Sequence, residues 1–219
     1  MPSPSRYDLT REQVAALMPS ERPYRVDQVW DGIYKRLAEP SELTELPKSL
    51  RETLAASEAL RPALALDRET DADGGTTSKW LFRLEDGSRI ETVLMHYPGR
   101  TTVCVSTQAG CAMACGFCAT GQGGFTRHLG PGEIVEQVVR AARAAASSGR
   151  RLQNVVFMGM GEPLANLPRV WEAVLRLNGD LGLAARHLTL STVGVVPGIR
   201  KLATEPLQVN LAVSLHAAN

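Results

Sequence analysis

The sequence predicts an α/β protein: a partial (β/α) barrel of about four βα units, preceded by a small helical N-terminal domain and a short antiparallel β unit. Three observations carry this prediction. From residue 101 onward, short apolar strand-like runs alternate with amphipathic helical stretches. Each of those runs ends in a polar motif: Ser106-Thr107-Gln108, Gly159-Met160-Gly161-Glu162, Ser191-Thr192 and Ser214-Leu215-His216. Polar motifs at every strand C-terminus favour a barrel over a doubly wound sheet. Before residue 101 the pattern differs, being helical to about residue 60 and strand-like afterwards.

Taken in order, residues 1–9 read as a tail. Thr10 is a cap for a short helix through Val14, Ala15, Leu17 and Met18, ended by Pro19. Residues 24–37 place Val26, Val29, Trp30, Ile33, Tyr34 and Leu37 at helical spacing. Pro47 opens another helix with Leu50, Leu54 and Ala55 on one face. Residues 1–60 are therefore expected to form a helical accessory domain, either a simply packed one or one that touches RNA through its Arg and Lys. Strands are expected over 63–69, 78–84 and 89–96, with turns at Asp73-Gly74-Gly75 and Asp86-Gly87-Ser88, making 61–98 a β-rich linker unit. The core then spans 99–219. Its strands are expected over 101–107, 154–158, 187–192 and 208–215, and its helices over 131–148, 167–177 and 197–204. Four βα units cannot close a barrel and leave a parallel edge strand bare. The sequence is accordingly expected to be a fragment, or to have a partner over that edge.

Composition is ordinary for a globular chain, at 44% apolar and 21% charged residues. Net charge is +1, so charge alone does not mark a nucleic-acid binder. Residues 1–100 hold 14 Lys and Arg against 17 Asp and Glu, and the remainder holds 10 against 6. That mild positive excess permits an anionic partner without requiring one. No apolar run reaches a membrane span, and the start lacks a signal-peptide core, so a cytoplasmic location is expected. There thiols stay reduced, and clustered cysteines point to metal or catalysis.

All four cysteines fall between Cys104 and Cys118. Cys111, Cys115 and Cys118 sit on one glycine-rich loop, where three thiolates can converge on a soft metal centre. A zinc site normally wants four protein ligands. An iron–sulfur cubane can take three cysteines and leave one iron open to a small molecule. Iron–sulfur cluster, zinc site with Cys104 as fourth ligand, and buried structural cysteines all remain open at this level. Glu162, in a Gly-Glu-Pro turn, is an acceptor for a cationic ammonium. Ser191 and Ser214 are hydrogen-bond donors at later strand ends, with His216 on the same rim. Pattern alone assigns Glu91 no role.

Cys-x3-Cys-x2-Cys after a first strand, with a Gly-Glu motif after the second, resembles the radical S-adenosylmethionine (SAM) enzymes. The match is closer to the dual-specificity adenine-C2 RNA methyltransferases of 23S rRNA and tRNA. It is carried by residues 104–118, 159–166, 190–197 and 211–217, with further similarity at 24–30 and 46–51. The resemblance implies about four βα units of a six-unit radical-SAM barrel. It implies that Cys111, Cys115 and Cys118 bind a [4Fe-4S] cluster whose open iron is chelated by SAM. It places Gly161 and Glu162 at the SAM amino end, and Ser191, Ser214, Leu215 and His216 along the rest of that pocket. It makes Glu91 a proton acceptor and Cys104 a resolving cysteine in a transient disulfide with a methyl-carrying cysteine. It further implies 23S rRNA and tRNA substrates, an electron donor such as flavodoxin, no membrane and a monomeric full-length protein. The family's methyl-carrying cysteine lies beyond the fourth strand, and no cysteine follows Cys118 here. The 219 residues alone are therefore expected to be inactive. Two other readings stand beside this one: an adenine-C8 radical SAM rRNA methyltransferase conferring antibiotic resistance, and a non-enzymatic zinc-binding RNA module.

Overall fold

The structure, a computed structural model, describes residues 4–215. Three helices open the chain: α1 (Arg11–Ala16), α2 (Tyr24–Tyr34) and α3 (Lys48–Ala55). The Thr10 hydroxyl accepts from the Gln13 N–H and the Gln13 side chain accepts from the Thr10 N–H, a reciprocal cap at the start of α1. α2 stops three residues short of expectation, and Leu37 takes a positive φ of 57° in the turn that follows. Ala55 is exposed, so the buried stripe of α3 is carried by Leu54.

Seven strands form one mixed sheet, antiparallel in its first part and parallel in its second. The antiparallel part is β1 (Ala65–Ala72), β2 (Thr77–Arg83), β3 (Arg89–Tyr97) and β4 (Arg100–Cys104). The parallel part continues from β4 through β7 (Asn154–Phe157), β8 (Leu188–Thr192) and β9 (Asn210–Val213). The β-rich unit is thus continuous with the part-barrel through β3 and β4. A second, two-stranded ladder pairs β5 (Gln108–Gly110) with β6 (Phe125–His128), and a one-turn helix α4 (Ala119–Gln122) lies between them. Neither the ladder nor α4 was legible in the hydrophobic pattern. The strand expected over 101–107 ends at Cys104, because Ser106, Thr107 and Gln108 turn away to bond Met160 in the loop that follows residues 154–157. Cys104 is therefore a strand-end residue rather than a mid-strand one.

Helices α5 (Pro131–Ser147), α6 (Leu167–Gly179) and α7 (Val196–Leu202) supply the crossovers. Pro131 opens α5, and the Glu133 carboxylate accepts from the Gly130 N–H at 2.8 Å. Strand register separates two faces. Val103, Val155, Phe157, Leu188 and Leu190 share one face and are each at most 1% exposed. Burial of each is worth about 1.5–3 kcal/mol. The other face carries Glu91, Val93, Cys104, Val156, Thr189, Ser191 and Ala212, all only half-buried. This second face is the polar inner surface of the part-barrel.

The N-terminal helices dock on α5 and α6. The Trp30 indole donates to Asp180 at 2.9 Å, and the Arg176 guanidinium donates to the Leu9 and Asp8 carbonyls. The Gly132 N–H, at the start of α5, donates to the Asp8 carboxylate at 2.7 Å. One apolar cluster runs from Tyr7 through Leu54 to Leu190. Among the described residues no helix is long and apolar enough to cross a membrane.

Candidate functional site

A cleft of about 350 Å³ opens at the C-terminal ends of the parallel strands. Cys111, Cys115 and Cys118 line it together with Gly161, Glu162, Ser191 and Ser214. The structure therefore brings together residues that lie a hundred positions apart in sequence. Leu215 is exposed and is not among the lining residues, and His216 lies outside the described residues.

The cysteine loop is closed at its base by the β5–β6 ladder, where the Cys111 N–H donates to the Gly124 carbonyl at 2.8 Å. A Cβ on Gly110, at φ 74°, would lie 2.1 Å from that carbonyl oxygen, so only glycine fits this closure. Gly124 also takes a positive φ, whereas inside the loop the left-handed residue is Ala114 at φ 49°. Cys118 immediately precedes α4 as its cap residue, and its thiol is held below the usual range by the Gly121 N–H, then by Thr120. That environment favours thiolate, the metal-binding form. All four cysteines are unpaired thiols. Among the described residues no three His, Cys, Asp or Glu side chains are drawn together closely enough to hold one metal ion.

On the opposite wall, Glu162 is 2% exposed. Its carboxylate accepts from the Leu164 N–H at 3.0 Å and the Val193 N–H at 2.9 Å, tying the end of β7 to the end of β8. Each oxygen keeps a second lone pair for a ligand. Gly161 sits at φ 101°, and a Cβ there would lie 2.5 Å from the Gln108 Cβ. The Ser191 and Ser214 hydroxyls are 3.3 Å apart, a pair of donors on adjacent strand ends. Thr192, buried beside them, instead builds the turn, its hydroxyl accepting from the Gly194 and Val195 N–H groups.

Cys104 and Glu91 do not line this cleft. Both lie on the inner face of the sheet, on adjacent strands. Burial pushes the Cys104 thiol up to about 11, partly offset by a hydrogen bond from the backbone at Met158. The Glu91 carboxylate accepts from the Lys79 ammonium at 2.9 Å, and the Glu91 carbonyl accepts from the Ser106 hydroxyl at 2.6 Å. Several buried polar residues were not assigned roles by sequence reasoning: Ser106, Gln108, Gln137 and Asn166. Asn166 donates to the Thr107 and Leu129 carbonyls, and Gln137 bonds Thr92 and the Ser106 backbone. For Ser106 and Gln108, the available signal was the polar motif at the end of the first core strand.

A part-barrel whose strand ends carry three free cysteines opposite a buried glutamate turn defines a cofactor-binding enzyme core. The sequence model of the Radical SAM superfamily matches residues 105–219, and the chain belongs to that superfamily. Membership implies SAM and an iron–sulfur cluster, and the free thiols, the glycine closures and the Glu162 acceptor fit such a pair. The chain is 52% identical to "Dual-specificity RNA methyltransferase RlmN 1" of Myxococcus xanthus, over 99% of this chain and 61% of that protein. It is 51% identical to "Probable dual-specificity RNA methyltransferase RlmN" of Salinispora tropica, over 96% of this chain and 59% of that protein. A crystal structure of a radical SAM methyltransferase from Sphaerobacter thermophilus superposes with a TM-score of 0.92 at 49% identity, over 99% of this chain and 65% of that one. The chain thus spans about three fifths of the length of the curated relatives it matches.

Proposed function

We propose that this chain is the cofactor-binding part of a radical SAM RNA methyltransferase that methylates C2 of adenine in 23S rRNA and tRNA. One observation carries the reading: Cys111, Cys115 and Cys118 share a cleft with Gly161, Glu162, Ser191 and Ser214. Names of relatives about 50% identical support the substrate class. Cys111, Cys115 and Cys118 would hold a [4Fe-4S] cluster. Glu162 would accept from the SAM ammonium, Gly161 would leave room for it, and Ser191, Ser214, Leu215 and His216 would line the remainder. Bound together, cluster and SAM supply one-electron reductive cleavage of a carbon–sulfur bond.

The chain's own residues do the rest. The burial of Glu162 limits the access of water to its free lone pairs. Glu91 would take the proton from adenine C2, its carboxylate already paired with the Lys79 ammonium at 2.9 Å. Cys104 would act as a resolving thiol. The raised pKa of its half-buried thiol keeps it neutral and unreactive until a base removes its proton. Residues 1–60 are proposed as an RNA-contacting accessory domain and 61–98 as the β unit joining it to the core over 99–219, in a cytoplasmic protein served by a flavodoxin-like electron donor.

Anaerobic reconstitution with iron and sulfide tests the cofactor assignment. A visible iron–sulfur band that disappears in Cys115→Ala is expected. Stoichiometric zinc without iron would overturn it. For the product, mass spectrometry of nucleosides from an rRNA fragment treated with the full-length protein should show 2-methyladenosine. Methylation at C8 would overturn the regiochemistry.

A further inference from the structure

The Ser106-Thr107-Gln108 motif is not used by the reading above, yet Gln108 is fully buried against the Glu162 turn. We infer that Gln108, its amide orientation fixed by His128, is the positioning residue that sets the Gly161–Glu162 turn for SAM. The inference rests on the proposed SAM-binding role of the cleft.

The geometry fixes the protons. Gln108 Oε1 lies 2.9 Å from the Glu162 backbone nitrogen, which can only donate, so the oxygen must face Glu162. The Gln108 amide nitrogen then faces His128 Nδ1 at 3.0 Å. Nδ1 must accept, so the ring proton sits on Nε2 and the imidazole is neutral. Burial, then the Arg169 cation, both hold His128 below its usual range and favour that neutral ring.

The main chain repeats the connection. The N–H groups of Thr107 and Gln108 both donate to the Met160 carbonyl, at 2.8 and 3.2 Å. The Gln108 stem is also what forbids a Cβ at Gly161. His128 belongs to β6, the strand that closes the base of the cysteine loop by pairing with β5. One hydrogen-bonded line therefore runs from the frame of the cysteine loop, through Gln108, to the backbone of the residue proposed to receive the SAM ammonium. It sets the relative placement of the two walls of the cleft.

The test uses the anaerobically reconstituted chain with Gln108→Met, His128→Leu and His128→Asn, reading SAM affinity by equilibrium dialysis and cluster content by iron and the visible band. Gln108→Met and His128→Leu should weaken SAM binding about tenfold, the loss of one buried hydrogen bond, with cluster content unchanged. His128→Asn, whose side-chain oxygen can accept from Gln108, should bind SAM like the parent. In the metal-free chain, nitrogen chemical shifts of labelled histidine should show His128 as the neutral Nε2–H tautomer. Parent-like affinity in Gln108→Met, equal losses in His128→Leu and His128→Asn, or the Nδ1–H tautomer would each overturn the inference. Should Gln108→Met fail to fold, Gln108→Glu serves. It still accepts from Glu162 but cannot donate to Nδ1, so His128 should become protonated at neutral pH, and a ring that stays neutral would overturn the inference. A cluster-loaded parent that binds no SAM would overturn the cleft reading and this inference with it. A parent that binds, with a Gln108→Met that binds equally well, would overturn this inference alone.

Discussion

Replacing Glu162 by Gln separates what this carboxylate does for the fold from what it does for a ligand. Both of its oxygens already accept backbone N–H groups, from Leu164 and Val193, in a site only 2% exposed. Glutamine keeps one acceptor and replaces the other with an NH2 group. One of the two backbone N–H groups must then face a donor with no water to replace the bond. Losing a hydrogen bond to a charged acceptor costs about 1.5–3 kcal/mol, and an orphaned buried donor costs a similar, overlapping amount. The expected loss is therefore about 2–3 kcal/mol in total. For a chain of this size each kcal/mol moves the midpoint about 2–4 °C, which gives a fall of roughly 4–12 °C. Thermal unfolding of the metal-free, SAM-free chain, followed by circular dichroism, measures it with no ligand contribution. Ser191→Ala is the control: among the described residues its hydroxyl has only the 3.3 Å contact with Ser214, and it should move stability by no more than about 0.5 kcal/mol. A Glu162→Gln midpoint within about 1 °C of the parent would refute the reasoning, since the mutant N–H groups would have to be satisfied some other way.

Three further outcomes follow from the same geometry. Gly161→Ala forces a Cβ to 2.5 Å from Gln108 at φ 101° and should lower the urea midpoint by the equivalent of about 1–3 kcal/mol, whereas Gly116→Ala, which meets nothing within 4 Å, should change it by less than about 0.5 kcal/mol. In the metal-free chain at mildly alkaline pH, peptide mapping should find Cys118 alkylated at least about tenfold faster than Cys104, with the gap narrowing as pH approaches the Cys104 value of about 11; faster labelling of Cys104 would contradict the raised pKa of its thiol. The hydrogen bond from Arg127 holds Asp86 at about 2, below its ordinary 3.8. Because the folded value is depressed, the stabilisation is present above the unfolded value and is lost as pH falls towards 2. A carboxyl titration of Asp86 should show the low midpoint, and Arg127→Leu should return it towards 3.8.

The apolar alternation of the core was legible because β4, β7 and β8 are buried on their outer face, which selects residues such as Val155, Phe157 and Leu190 in a regular pattern, whereas on β9 Leu211 and Val213 stay exposed. The β5–β6 ladder was not legible because Gln108–Gly110 and Phe125–His128 carry too few apolar residues to show a period. Their pairing is fixed by a loop closure that only Gly110 permits. The three cysteines and the Gly-Glu turn could be read as chemistry from residue type and spacing. That Glu162 also fastens two strand ends could not, since its partners are backbone groups, and backbone donors leave no mark on composition.

The placement of Glu91 and Cys104 outside the cysteine cleft has a physical logic. The cleft wall is built on the loops beyond the strand ends, which can wrap a cofactor, whereas Glu91 and Cys104 stand within the paired strands β3 and β4 of the inner face, held by the ladder. Ser106 joins the two regions. Its hydroxyl donates to the Glu91 carbonyl and accepts from the Met160 N–H at 3.0 Å, and Gly159 packs so closely on it that a Cβ would lie 2.8 Å from that hydroxyl. A shift of the glycine-rich turn therefore cannot occur without breaking a buried bond to the strand that carries Glu91. On the proposed chemistry this is what is required: the turn that would receive SAM and the group that would take the proton must keep a fixed separation, and a displacement of about 1 Å at such a site costs on the order of a hundredfold in rate.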